Sequence, residues 1–423
     1  MSMTIVPQNI ADAPRVNDPD TLFQPRPRPT TPAHIIASDQ EAIEIAHRLA
    51  ADFAKGAALR DKEGLLPLEE LDAFSQSGLW GITIPKQYGG AGVSYVTLTE
   101  VIKIISAADP SLGQIPQNHL AIVEHIVSDG TEAQKQALLG DVLKGIRFGN
   151  AFSESGSKHV AAFETRIEPD GENFVVNGKK FYSTGALLAH VVPIVAVNGE
   201  GLPHLAFADR SAEGLTIIND WSSFGQRTTA SGSVVIDNVK ISADRVIPAY
   251  LAFANPTPAG AISQIIQAAV DAGIARGTIE ETIRFVRDRA RPWVDSGQDR
   301  ASDDQFTIAA VGDLKIRLHA AEALLERAAR LIDIALKNPT DETVAEAAVA
   351  TAESKFLTTE IAILASNKLF ELGGTRSTLS AHGLDRHWRN ARTHTLHDPA
   401  RWKPFHIGNY YLNGVKPARH PWL

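Results

Sequence analysis

The segment RHWRNARTHTLHDP, residues 386–399, carries the densest chemistry in the chain. Read as a helix, it places His387, Asn390, His394 and His397 at i, i+3, i+7 and i+10, on a single stripe. Three imidazoles on one stripe can take up or release protons near neutral pH. Pro399 is the expected end of the helix. Two other readings stand beside this one. His394, His397 and Asp398 could ligate a metal, but three-residue spacing without another acidic cluster gives that little support. The stripe could also be a solvated polar face.

The surroundings of that stripe are basic. From Arg386 onward there are seven basic residues (Arg386, Arg389, Arg392, Arg401, Lys403, Lys416 and Arg419), one acid, Asp398, and five of the 14 histidines. A basic segment in an acidic protein can seat a small anion such as a phosphate. It can equally bind the acidic remainder of its own oligomer.

The rest of the chain bounds what these residues serve. Its 423 residues include no Cys and only two Met, Met1 and Met3, so the packed part contains no sulfur. Sulfur sparing, protection from peroxide and thermal adaptation each predict such a bias. The third also predicts a heavily charged surface, which 21% charged residues does not supply. A formal net charge of −8 argues against a nucleic-acid partner. No apolar run approaches the roughly 20 residues of a membrane span, and no signal-peptide pattern is seen, so the expected location is the cytoplasm. Without Cys, disulfides and thiolate metal sites are excluded.

The elements that must position the stripe read as helical, then β, then helical. Residues 1–36, with Pro25, Pro27, Pro29 and Pro32, predict an extended arm laid on a neighbouring subunit. Residues 37–147 show helical periodicity, beginning with Ile43, Ala46, Leu49, Ala50, Phe53 and Ala54 behind a Ser38–Asp39 cap. Residues 148–250 predict a β domain, with VVPIVAV, LAFAD, LTII and SVVID as strands and Asp170-Gly171 and Asn177-Gly178 as turns. Residues 251–398 predict a four-helix bundle with long segments at 261–290, 306–337 and 341–372; residues 399–423 form a basic tail. The fold class is α+β multidomain.

Several stretches resemble the acyl-CoA dehydrogenase superfamily: IPKQYGGAG, GNAFSESGSK, NGKKFYSTGA, FGQRTTASG and FELGGTRST. More narrowly, PSLGQIPQNH, WSSFGQRTTASG and RHWRNARTHTLHDP resemble its flavin-dependent sulfur-acquisition oxidoreductases, the dibenzothiophene monooxygenase-like branch. The resemblance runs over nearly all of the chain from about residue 38. One departure bears on chemistry. Acyl-CoA dehydrogenases carry Glu-Gly-Thr, with the Glu as base, where this chain has LHDPA.

The resemblance implies a two-component monooxygenase. A separate reductase supplies reduced FMN, oxygen reacts to give a flavin C4a-hydroperoxide, and a small organosulfur compound receives the oxygen atom. It implies a homotetramer and no metal. His394 and His397 match the branch's histidine pair, and His119 a histidine on the substrate side. Ser183 joins them as catalytic, with Phe181 and Thr184 passing beside the flavin ring. Asn150 and Ser153 match the pyrimidine edge, Trp221 the substrate pocket, and Arg289 and Arg376 the cofactor phosphate across a subunit interface. Two alternatives remain: an FAD-dependent dehydrogenase using Asp398 or a His as base, and a flavin-binding subunit without turnover. A nicotinamide Rossmann site is not supported, because no GxGxxG lies in a strand–turn–helix setting.

Overall fold

The computed structural model describes residues 13–19 and 23–422. It opens with helices α1 (Asp39–Glu63), α2 (Leu68–Gln76), α3 (Tyr95–Ala108), α4 (Pro110–Gln114), α5 (Pro116–Asp129) and α6 (Glu132–Leu143). Ser38 caps α1 by accepting from the Glu41 N–H, and Gly64 ends it in the left-handed region.

Strands β1 (Arg166–Asp170), β2 (Asn173–Lys180), β3 (Val191–Val197), β4 (Pro203–Asp209), β5 (Leu215–Ile217), β6 (Val234–Ser242) and β7 (Val246–Ile247) form one sheet in the order β5-β6-β2-β1-β3-β4-β7. Only β1–β3 pair in parallel. Strand β3 is buried on both faces. Val191 and Val195 pack with Phe207 against α5 and α6, and Val192, Ile194 and Ala196 fill the sheet's other core. Asp170-Gly171 is the β1–β2 turn, as the dipeptide predicts, with Gly171 at φ +64°. Asn177-Gly178 is not a turn. It lies inside β2, where the register with β6 shifts, and a Cβ on Gly178 would stand 2.3 Å from Thr165 Oγ1.

The chain then runs through α7 (Leu251–Ala254), α8 (Ala259–Asp288), α9 (Gln305–Lys337), α10 (Asp341–Gly373), α11 (Asp385–His394) and α12 (Lys403–Asn413). Helix α8 is the axis of the molecule, packed against α3, α9 and α10. It is buried nearly all round, so its apolar residues need no stripe and its buried polar residues, Gln264, Gln267 and Asp271, are conspicuous. Two expectations change. The tail is partly helical, as α12, and α11 stops at His394, before Pro399, leaving His397 beyond the helix.

Residues 1–12 and 20–22 of the N-terminal arm lie outside those described. The described part of the arm contacts its own chain: Arg26 pairs with Asp72, Arg28 with Asp209 at 2.6 Å, and the Ala33 and His34 N–H groups donate to Leu143 and Gln76.

Candidate active site

The site is built where three parts of the chain meet. The loop before β6, residues 224–232, joins them. Its Thr229 and Gly232 carbonyls accept from the Gly185 and Ser183 N–H groups, and a hydroxyl chain links Thr229, Ser231 and Thr184 at 2.7 and 2.8 Å. Its other side docks on α11: Arg389 donates to the Phe224 carbonyl, and the Gln226 N–H donates to Asn390 Oδ1 at 2.6 Å. Gly225 permits this approach, since a Cβ there would lie 1.9 Å from the Arg389 carbonyl. Residues 227–229 pack on α4 and α1.

One wall gathers most of the sequence-predicted flavin-side residues. Asn150 Nδ2 donates to the Thr184 carbonyl at 3.3 Å, and the Phe181 N–H donates to the Ser153 carbonyl at 2.9 Å. Phe181, Tyr182 and Trp221 form an aromatic cluster, with Trp221 Nε1 donating to the Gln226 carbonyl. Tyr182 holds φ +58°, a costly conformation for a bulky residue. Ser183 is 1% exposed and its Oγ has no hydrogen-bond partner.

His394 stands one turn beyond Asn390 on α11. Its Nδ1 lies 2.5 Å from Asp271 Oδ1, and its Nε2 lies 2.8 Å from Gln114 Oε1. Asp271 also accepts from Lys355 Nζ at 2.9 Å and from Thr359 Oγ1 at 3.0 Å. Burial lowers the His394 pKa against the pull of Asp271, so the neutral ring is the resting form. Its Nδ1–H donates to the carboxylate, leaving Nε2 as the basic nitrogen; the Gln114 amide can turn its NH2 toward it. Asp271, Lys355 and Gln114 were not singled out from sequence. An acid inside the apolar run AAVDAGIA was the available signal.

Two expected roles are corrected. His119 is fully buried behind the site with both ring nitrogens engaged. Nδ1 accepts from the Phe148 N–H and Nε2 donates to the Trp80 carbonyl, each at 3.0 Å. Burial brings its pKa to about 3, so the ring is a neutral structural tie. His397, with a side chain 35% exposed, lies in the turn after α11, its Nε2 3.1 Å from Gln267 Nε2. It is therefore not part of the buried stripe that His387, Asn390 and His394 form. Arg289 and Arg376 are brought together, Arg376 donating to the Arg289 carbonyl at 2.9 Å, but both are exposed at the far end of the bundle. Arg289 follows Asp271 by eighteen positions along α8, roughly 27 Å of helix at 1.5 Å per residue. Within one chain they cannot hold a phosphate beside His394.

Asp398 is buried with both oxygens outside hydrogen-bonding geometry. Lys403 Nζ stands 3.2 Å from Oδ2 and His397 Nδ1 3.6 Å from Oδ1. These groups and Lys355 outweigh burial and hold its carboxyl well below the usual range, so it is a poor base. Among the described residues, no group of three or more His, Asp or Glu has a metal-holding arrangement.

Models of the acyl-CoA dehydrogenase N-terminal, middle and C-terminal domains match residues 38–146, 151–239 and 265–402. The chain is 34% identical to a dibenzothiophene monooxygenase of Mycolicibacterium goodii, over 89% of this chain and 95% of that protein. Among solved structures it resembles FMN-bound TdsC from Paenibacillus sp. A11-2, with TM-score 0.86 and 30% identity over 90% of this chain and 100% of that one. It also resembles methanesulfinate monooxygenase MsuC from Pseudomonas fluorescens, with TM-score 0.83 and 29% identity over 90% and 99%.

Proposed function

The chain belongs to the acyl-CoA dehydrogenase family, in its dibenzothiophene monooxygenase-like branch, and from that premise we propose that it oxygenates a small organosulfur compound in sulfur acquisition. It is a flavin-dependent monooxygenase with FMN as its cofactor. Delivery of reduced FMN by a separate reductase, activation of oxygen on that flavin, and assembly of a homotetramer in the cytoplasm belong to the proposal.

The residues present suit the group. Ser183 Oγ is a buried hydroxyl without a partner, beside the Asn150–Thr184 bond and the Phe181–Trp221 cluster. Such an orphan calls for a ligand. We assign Asn150, Ser153, Phe181, Ser183 and Thr184 to the flavin ring and Trp221 to the substrate side. Arg289 and Arg376 reach the phosphate of a second copy, since their own chain's site is out of range. Reduced FMN, when bound, supplies the electrons for activating molecular oxygen.

The observation that carries the reading is His394. It is a buried imidazole whose tautomer is set by Asp271 and whose basic nitrogen faces Gln114. Nε2 is the atom that holds or gives a proton. Its buried setting keeps competing water away. Asp398 lacks the basicity that the dehydrogenase alternative requires. The test is to supply photoreduced FMN and oxygen with a panel of sulfones, sulfinates and thiophenes. Product formation that requires reduced FMN is expected; bleaching of oxidised flavin by an acyl-CoA instead would favour the dehydrogenase.

A further inference from the structure

Gln226 is 3% exposed, and neither Nε2 nor Oε1 of its side chain has a hydrogen-bond partner. Burying an amide with both ends unmet is unfavourable. The backbone adds to this, because Gln226 holds φ +49° and ψ 40°, a left-handed conformation unfavourable without glycine. The conformation is enforced from several sides. Its N–H is bonded to Asn390, and its carbonyl accepts from Trp221 Nε1 at 2.9 Å and Thr229 Oγ1 at 3.0 Å. Three side-chain groups fix the backbone and none satisfies the amide.

Its location says what the amide meets. The loop is zipped to Ser183–Gly185 on one side and to Asn390, one turn before His394, on the other. Another buried group without a partner, Ser183 Oγ, is in the zipped segment. An amide presents a donor and an acceptor side by side. Its natural complement is a ligand edge with an adjacent acceptor and donor.

We propose that the Gln226 amide pairs with the imide edge of the flavin ring, accepting from N3–H and donating to a neighbouring carbonyl. This rests on the FMN reading above. The cofactor would then satisfy the unpartnered amide, and the strained backbone is how the chain aims it.

The test is equilibrium binding of oxidised FMN and of N3-methyl-FMN, followed by flavin fluorescence, together with thermal melting of the flavin-free protein. Gln226→Leu is expected to bind FMN about tenfold more weakly. The penalty for N3-methylation should be present in the parent and absent in this variant. Flavin-free melting should be unchanged or raised, since an unpaired amide is removed. If the Leu variant does not fold, Gln226→Glu carries the test: it keeps the size and the acceptor, so it should bind FMN more weakly while retaining the methylation penalty. Parent-like FMN affinity in the variants, or a methylation penalty that survives in Gln226→Leu, overturns the inference alone. A parent protein that binds no FMN overturns the cofactor reading with it.

Discussion

Asp271 Oδ1 lies 2.5 Å from His394 Nδ1, and both side chains are sealed from solvent. The two residues are 123 positions apart, brought together by the docking of α11 on α8. This bond fixes which nitrogen of the imidazole faces Gln114, so its effect should be separable from that of the imidazole itself. Asp271→Asn keeps the size but favours the wrong tautomer. We expect kcat to fall by about 10²- to 10⁴-fold, with FMN affinity changed only a few-fold. Unchanged turnover under saturating reduced FMN would remove Asp271 from the mechanism.

Lys355 is the counter-charge that makes a buried Asp271 tolerable. Lys355→Met leaves an under-compensated carboxylate and should cost about 3 kcal/mol in urea unfolding. The double variant with Asp271→Leu should recover much of that loss, because no buried charge remains without its partner. Additive losses in the double variant would contradict the pairing.

The two histidines of the THTLH run should differ. His394→Ala removes the buried imidazole and is expected to divert oxygen to free hydrogen peroxide, measured as peroxide released per oxygen consumed. His397→Ala, at the rim, should keep most of its coupling. The reverse order would assign the catalytic role to the exposed ring.

Acid should destabilise the protein through its buried neutral histidines. Burial holds His119 near pKa 3 and His190 near 4, against 6.5 ordinarily. The unfolded chain therefore takes up these protons first, and stability falls as pH drops below about 6.5, by about 2 kcal/mol per ring at pH 5. Glu124 acts oppositely. Burial raises its carboxyl to about 7 from 4.5, so the folded protein takes up that proton first and gains stability between those values. Glu124→Gln should thus lose more stability than the parent between pH 7 and pH 5 in urea titrations. A shallower loss would show that Glu124 stays ionised.

Arg289 and Arg376 are assigned to a phosphate held by another copy. Arg289→Met should weaken FMN binding about tenfold, and binding by the parent should fall on dilution below the concentration at which copies dissociate. Tight binding by a demonstrated monomer would disprove the shared site.

Periodicity was enough for the large elements. The long segments read at 306–337 and 341–372 agree with α9 and α10 to within a residue at each end, because amphipathic and small-residue runs impose them locally. Asn177-Gly178 misled because a bulge and a turn both call for the same dipeptide. The motif residues Asn150, Ser153, Phe181, Ser183, Thr184 and Trp221 do gather in space. Asp271, Gln114 and Lys355 were not legible in the sequence, since each acquires its importance from a partner distant in the chain. His119 was overread for a related reason. A lone histidine in a helix does not reveal whether its two nitrogens are already spoken for.

Arg28 reaches Asp209 at the end of β4 and approaches Asp141 on α6, while the backbone beyond it is tied to Gln76 and Leu143. The segment works as an outer belt across the first helices and the sheet. Those two bodies cannot swing apart without unbuckling it. Opening a gap between the first helices and the sheet would therefore require these ion pairs and backbone bonds to break together.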